Sequence, residues 1–260
     1  MCELALCCMF REETPYIREW VEYHRLVGVE RFWLLNNDPD PAAAAEVAPY
    51  VDDGTAVLID WQGGPGVKKQ REGFNHVLGL ARGQTKWLGF IDMDEFVVPT
   101  VAEDLREVLR DYEDFGGLGI NWLCYGTSGH ADPQPLQIDA YRMCAPYGHE
   151  LNRNVKVIVR PERTGSVLSP HHCRFVRPWY SVGEDKATYP HTYRQASHAV
   201  VRVNHYSTRS VEDCRRKVAK WAAADSPALH EGHLDRFDRG ELKDETACRF
   251  LPRLRSALGA

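Results

Sequence analysis

A run of apolar residues, Trp87-Leu88-Gly89-Phe90-Ile91, stops at three carboxylates spaced Asp92-Met93-Asp94-Glu95, and the apolar pattern resumes at Phe96, Val97 and Val98. A short apolar run with such a boundary reads as a buried strand, and open α/β sheets present their chemistry at the carboxyl ends of their strands. Three acids this close repel one another, so a cation belongs among them. Hard divalent ions bound by carboxylate oxygens and substrate phosphates meet that need. The resumed apolar pattern argues that the acids sit in a cleft; the plainer alternative is a strand running into a solvated turn. Met93 should point back into the core, leaving Asp92 and Asp94 on one face.

The residues before this run predict the sheet that carries it. Leu4–Met9, Arg31–Leu35 and Thr55–Asp60 read as strands. Between them, Thr14-Pro15 opens a helix that Gly28 closes, Pro41–Ala48 forms a short helix, and Phe74, Val77, Leu78 and Ala81 mark the buried stripe of a helix over 67–82. Alternation of strand and helix predicts a mostly parallel α/β sheet flanked by helices, and right-handed crossovers place the strand ends on one side. Glu12 or Glu13, Asn36, Asp60 and Asp92 should therefore line one crevice. Further on, Thr100-x-x-Glu103 and Ser210-x-x-Asp213 read as capping boxes. Gly119–Tyr125, Val155–Arg160 and Ala199–His205 read as strands, Val211, Cys214, Val218 and Trp221 as a helical stripe, and 243–258 as a final helix. The stretch between His130 and Thr192 is irregular and suits recognition.

Composition excludes several classes. The chain of 260 residues has a formal charge of −5 with its basic residues scattered, which gives no electrostatic case for nucleic acid. No apolar run reaches membrane-spanning length, and Leu4–Phe10 is too short and cysteine-rich for a signal peptide, so the cytoplasm is the expected location. The eight cysteines include no Cys-x-x-Cys pair and read as buried thiols. His171, His172 and Cys173 are adjacent, but strand neighbours point to opposite faces and do not readily share one ion. The basic, amphipathic stretch Arg249–Leu258 should pack on the fold, with peripheral membrane contact the other use for such a helix.

An Asp-x-Asp at a strand end suggests a metal bridging the diphosphate of an activated substrate. In context the match is more specific. Glu19-Trp20-Val21-Glu22-Tyr23-His24, Gly28-Val29, Phe90-Ile91-Asp92-Met93-Asp94-Glu95-Phe96, Trp122, Gly126-Thr127-Ser128-Gly129-His130, Lys156-Val157-Ile158-Val159-Arg160, and His205-Tyr206-Ser207-Thr208-Arg209-Ser210 with Lys217 follow in order. Together they resemble glycosyltransferases of the GT-A fold, specifically family 92 and the related family 2-like group, over most of residues 3–221.

That resemblance implies one domain over 1–260: a nucleotide-sugar-binding half (1–98), an acceptor-side half that completes the metal shell (99–222) and a helical segment (223–260). It also implies transfer of a sugar from a nucleoside-diphosphate sugar, with a UDP-sugar expected, to a hydroxyl of a glycan or other acceptor, with Mn2+ or Mg2+ as cofactor. Asp92 and Asp94 match the metal and donor motif, and His205 the later histidine of the metal shell. Glu12, Glu13, Asn36, Asp60, Gln70, Asp92 and Lys217 are the expected donor contacts, and Glu95, Trp122, Ser128 and His130 the acceptor contacts. Relatives usually carry asparagine where Glu12 or Glu13 stands. Inversion requires a general base; Asp132, Glu150 and Asp185 are the candidates, with Glu184 beside them. Two other classes stay open: a metal-dependent phosphodiester or diphosphate hydrolase, and a non-catalytic nucleotide-sugar or glycan-binding module.

Overall fold

The computed structural model describes residues 1–64, 66–189, 192–222 and 232–259. Its strands are β1 (Cys2–Phe10), β2 (Arg31–Asn36), β3 (Ala56–Asp60), β4 (Thr85–Phe90), β5 (Glu95–Pro99), β6 (Gly117–Cys124), β7 (Met143–Cys144), β8 (Val155–Val159), β9 (Thr164–Ser169), β10 (His172–Phe175), β11 (Ser181–Val182), β12 (Val201–His205) and β13 (Leu242–Lys243). Its helices are α1 (Ile17–Leu26), α2 (Pro41–Asp52), α3 (Val67–Ala81), α4 (Leu105–Arg110), α5 (Gln137–Ala140), α6 (Val211–Ala222), α7 (His233–Phe237) and α8 (Leu251–Leu258). The main sheet runs β3-β2-β1-β4-β8-β6-β12-β5, with β11 also paired to β6.

The α/β sheet flanked by helices is as expected, and its first four strands are parallel. The second half is mixed. β8 runs antiparallel to both β4 and β6, β12 runs parallel to β6, and β5 runs antiparallel to β12. β1, β2, β3, β4, β6 and β12 therefore point the same way and end on one edge. β1 is buried on both faces, and its alternation separates two cores. Leu4, Leu6 and Cys8 join the cluster that includes Trp20 and Val21 of α1, while Ala5 and Cys7 face Phe74, Val77, Leu78 and Ala81 of α3.

Local corrections follow from particular side chains. The apolar run after the acids is a strand of its own: Phe96–Val98 belong to β5, which pairs with β12 at the far edge of the sheet. The cap of α4 is Asp104, whose carboxylate accepts from Arg106 N–H, and not the Thr100 box. The Asp104 carboxylate also fills the space beside Gly28 (φ +97°), where a Cβ would come within 2.1 Å of it. The Ser210 box is present, with Asp213 N–H donating to Ser210 Oγ at 3.0 Å and Ser210 N–H to the Asp213 carboxylate at 3.3 Å. The final helix begins only at Leu251, because Leu242–Lys243 pair with β7 and Thr246–Phe250 form a 3-10 turn. Leu251 and Leu254 of α8 are buried, and Phe250 sits edge-on to Tyr23 of α1. Trp221 falls within α6, and part of the 223–260 segment lies outside the described residues. Among the described residues, no helix is long and apolar enough to cross a membrane.

His24 locks α1 to β5. Its Nδ1–H donates to Trp20 O at 2.8 Å, and its Nε2 accepts from Val97 N–H at 3.1 Å, so the ring is neutral. Burial pushes its pKa down to about 3, only partly opposed by the Trp20 carbonyl. A depressed folded-state pKa leaves this contribution intact above the ordinary value of about 6.5 and removes it as pH falls towards 3, by about 1.4 kcal/mol per pH unit. Buried Glu19, pushed up to about 7, titrates with the opposite sign in this range, so the difference in urea-unfolding free energy between wild type and His24→Gln, and not the wild-type curve itself, should follow that slope between pH 6.5 and pH 4.

Candidate active site

The acids occupy the turn from β4 to β5, where Glu95 N–H donates to Asp92 O at 3.1 Å. Helix α1 braces the turn from below. The Trp20 indole N–H reaches the carbonyls of Asp92 and Glu95 at 3.1 and 2.9 Å. Met93 is buried, as its position in the motif predicts. Asp92 and Asp94, however, take separate sets of partners.

Asp92 turns towards β8 and α3. Lys156 Nζ lies 2.5 Å from its Oδ2 and Gln70 Nε2 donates to its Oδ1 at 2.7 Å. The same ammonium is 3.0 Å from Glu95, whose Oε2 also accepts Asp92 N–H at 2.9 Å. Lys156 is fully buried. Burial works against its charge, but Asp92 and Glu95 outweigh it and raise the lysine above its ordinary range. Burial and the neighbouring Asp92 push the Glu95 carboxyl up, against the pull of Lys156.

Asp94 turns towards α6 and β12. Lys217 Nζ is 2.6 Å from its Oδ2, and His205 Nε2 is 3.6 Å from the same oxygen. Burial alone would raise this carboxyl, but Lys217 and His205 hold it well below the usual carboxylate range. Lys217 is also bound to Ser207 O at 3.1 Å and Ser207 Oγ at 3.2 Å. Asp94, Lys217 and Ser207 open onto a cleft of about 110 Å³ whose walls also include Glu13, Pro133, Arg209 and Lys220.

Arg209 organises the cleft wall. Its backbone φ is 49°, and its guanidinium lies 3.8 Å over the Tyr16 ring. It donates to Glu13 at 2.5 Å, to Gln137 Oε1 at 2.6 Å and to Met93 O at 3.2 Å, tying the cleft to the acid turn. Gln137 is fixed in turn by the buried Glu19 carboxylate, which accepts from its backbone and side-chain N–H groups and from Ile138 N–H. Burial pushes the Glu19 carboxyl up to about 7 against those hydrogen bonds.

The other expected donor residues gather on the same edge. Glu12 has a φ of 58°, and its N–H donates to the Asp38 carboxylate at 2.5 Å. Asn36 Oδ1 accepts Asp38 N–H at 3.0 Å, and Asp60 is exposed at the end of β3, in register with Asn36. The acceptor set is more dispersed. Trp122 is only 8% exposed, with the His171 ring edge-on to it and the His205 ring tilted against it, so little of its surface is open to a ligand. Ser128 Oγ is taken by Met143 N–H at 2.9 Å, and the His130 ring rests edge-on to Tyr141.

The base candidates separate by position. Asp132 is exposed on the loop whose next residue, Pro133, lines the cleft. Glu150 is exposed in the turn Glu150–Arg153, just before β8 begins at the acid-bearing edge. Glu184 is a structural acceptor for the N–H groups of Ala199, Val200 and Val201, at the opposite end of β12 from His205. Asp185 follows it in an exposed turn and pairs with Arg194 at 2.7 Å, so the fold groups it with the start of β12.

A divalent ion suits part of this set. Bonds of about 2.1 Å let one ion touch both Asp94 Oδ2 and His205 Nε2, and His205 Nδ1 is buried with no hydrogen-bond partner. Asp92 does not join them, since both its oxygens are engaged elsewhere. Among the described residues, no group of three or more His, Cys, Asp or Glu side chains is placed to hold a metal.

The sheet thus brings acids, lysines and a buried arginine to the edge formed by its strands' carboxyl ends, where open α/β sheets bind their ligands. The chain belongs to glycosyltransferase family 92, whose profile matches residues 3–245. It is 28% identical over 224 residues to a family 92 protein of Ricinus communis, a match covering 83% of this chain and 37% of that protein. A family 92 protein of Oryza sativa is 32% identical over 169 residues, covering 61% and 27% of the two chains. The galactan beta-1,4-galactosyltransferase GALS3 of Arabidopsis thaliana is 26% identical over 135 residues, covering 44% and 25%. Among solved structures, S. aureus TarS matches with a TM-score of 0.41 at 15% identity, over 90% of this chain and 70% of that one.

The residues quoted above without a role, Lys156 and Arg209, prove central to the geometry. A signal for Lys156 was present: it is the one charged residue inside the otherwise apolar Val155–Val159. Removing a buried charge from its partners is costly. Arg209→Met strands Glu13 and Gln137 and should lower the free energy of urea unfolding by about 3 kcal/mol.

Proposed function

We propose that the chain is a metal-dependent, inverting hexosyltransferase that moves a sugar from a nucleoside-diphosphate sugar, a UDP-sugar first, to a hydroxyl of a glycan or other acceptor. One observation carries the reading: Asp94 and Lys217 converge beside Arg209 and Lys220 on one cleft, with His205 3.6 Å from Asp94, in a chain of glycosyltransferase family 92. The name of the galactan galactosyltransferase relative supports a glycan hydroxyl as acceptor.

In this reading Lys217, Lys220 and Arg209 receive the diphosphate. Ammonium and guanidinium groups form the strongest hydrogen bonds to phosphate oxygens. Lys217 keeps two contacts to Ser207 while it exchanges Asp94 for phosphate, so the move needs little reordering. Glu12, Asn36 and Asp60, at the ends of β1, β2 and β3, face the nucleoside, and Gln70 holds Asp92 in place for the donor. Asp94 and His205 would hold the ion, which as a Lewis acid offsets charge on the departing diphosphate. Asp132 takes the acceptor proton, because its loop lines the cleft; Glu150 is the reserve candidate.

The test is turnover of a panel of nucleotide sugars with Mn2+ or with EDTA, following nucleoside diphosphate release and the anomeric configuration of the product. Asp94→Ala should abolish Mn2+-dependent nucleotide binding in calorimetry and leave the circular dichroism spectrum unchanged. Unaltered binding would refute the ion assignment. Asp132→Asn should lower kcat by about 10²–10⁴-fold with nucleotide affinity preserved. Full activity in that variant would move the base to Glu150. Nucleotide binding without any transfer would favour a binding module, and diesterase activity without nucleotide-sugar turnover a hydrolase.

A further inference from the structure

The acid cluster is divided between two lysines of very different freedom. Lys156 sits mid-sheet on β8, opposite Ile120 of β6, and is fully buried. Its ammonium bridges Asp92 and Glu95 at 2.5 and 3.0 Å. Nothing in a packed strand lets it leave. Lys217 lies on a helix at the cleft, is a quarter exposed, and has Ser207 as an alternative partner to Asp94.

We infer that Lys156 is a permanent internal counter-ion that withdraws Asp92 and Glu95 from cation binding, so that a divalent ion is held only together with a nucleoside diphosphate. This rests on the ion-ligand role given above to Asp94 and His205. The affinity of an oxygen site for a hard cation rises with the number of unneutralised carboxylates it offers. Here three carboxylates are present, yet Lys156 is bonded to two of them and offsets one of their charges, and Lys217 competes for the third. Two protein ligands with a resident ammonium make a poor site for a lone ion. A diphosphate changes the balance: it draws Lys217 off Asp94 and adds oxygens of its own. Donor and ion then enter as one unit, and Lys156 is a positioning residue that keeps Asp92 with Gln70 on the donor side.

The experiment measures Mn2+ binding by loss of the free-ion electron paramagnetic resonance signal, with and without UDP, and needs no activity. Wild-type protein should bind Mn2+ alone weakly and bind it about tenfold or more tightly with UDP present. Lys156→Met frees Asp92 but strands Glu95, a buried charge, and that can prevent folding. The second variant, Lys156→Met with Glu95→Gln, removes both members of the buried pair and keeps one released carboxylate. It should bind Mn2+ alone about tenfold or more tightly than wild type, with a smaller gain on adding UDP. A folded double variant with no gain in Mn2+ affinity overturns the inference. So does a wild type that binds Mn2+ equally well with and without UDP. A wild type that binds no Mn2+ even with UDP, beside a double variant that gains it, removes the ion role of Asp94 and His205 while upholding that of Lys156.

Discussion

Charge neutralisation among Asp92, Asp94 and Glu95 is the constraint on which the site depends. A cluster of acids at a strand end is unstable without cations close by, and in a low-dielectric setting the partner must be placed within hydrogen-bond reach. The fold brings two such partners from distant parts of the chain. Lys156 comes from the antiparallel strand β8, inserted between β4 and β6, and Lys217 from α6. The mixed half of the sheet thus has a chemical consequence: without β8 at that place, Asp92 and Glu95 would face each other uncompensated.

A second layer fixes the turn that bears the acids. Trp20 holds its carbonyls from α1, and Arg209 holds Met93 O from the segment after β12. Arg209 is itself held by Glu13 and by Gln137, which Glu19 anchors. Arg209 is bonded on three sides, to Glu13, Gln137 and Met93 O, and its strained φ is maintained by that over-determination. Side chains held this way lose little further freedom when they bind a ligand, which favours a preorganised site.

Much of the first half was legible in the sequence because its rules are local. The continuous apolar run of β1 and the Asp92–Glu95 interruption depend on neighbours within a few residues, as does the Ser210 capping box later in the chain. Parallel βα units then fix which strand ends share an edge. Legibility failed where pairing is non-local. Phe96–Val98 read as a continuation of the acid-bearing strand, but β5 pairs with β12, a hundred residues away. Trp122 read as an acceptor contact, but His171, in the turn before β10, and His205 of β12 pack against it.

The sequence by itself determined the α/β alternation, the position of the acid turn at a sheet edge, and the need for positive charge beside it. These follow from hydrophobic periodicity and from Coulomb repulsion, which act along the chain. Only the tertiary structure decided which cations answer that need and how the three acids divide between them. Lys156 and Lys217 lie 64 and 123 residues from their acid partners, Asp92 and Asp94. No local rule specifies contacts at such separations; they exist because β8 enters between β4 and β6 and α6 closes over the strand ends.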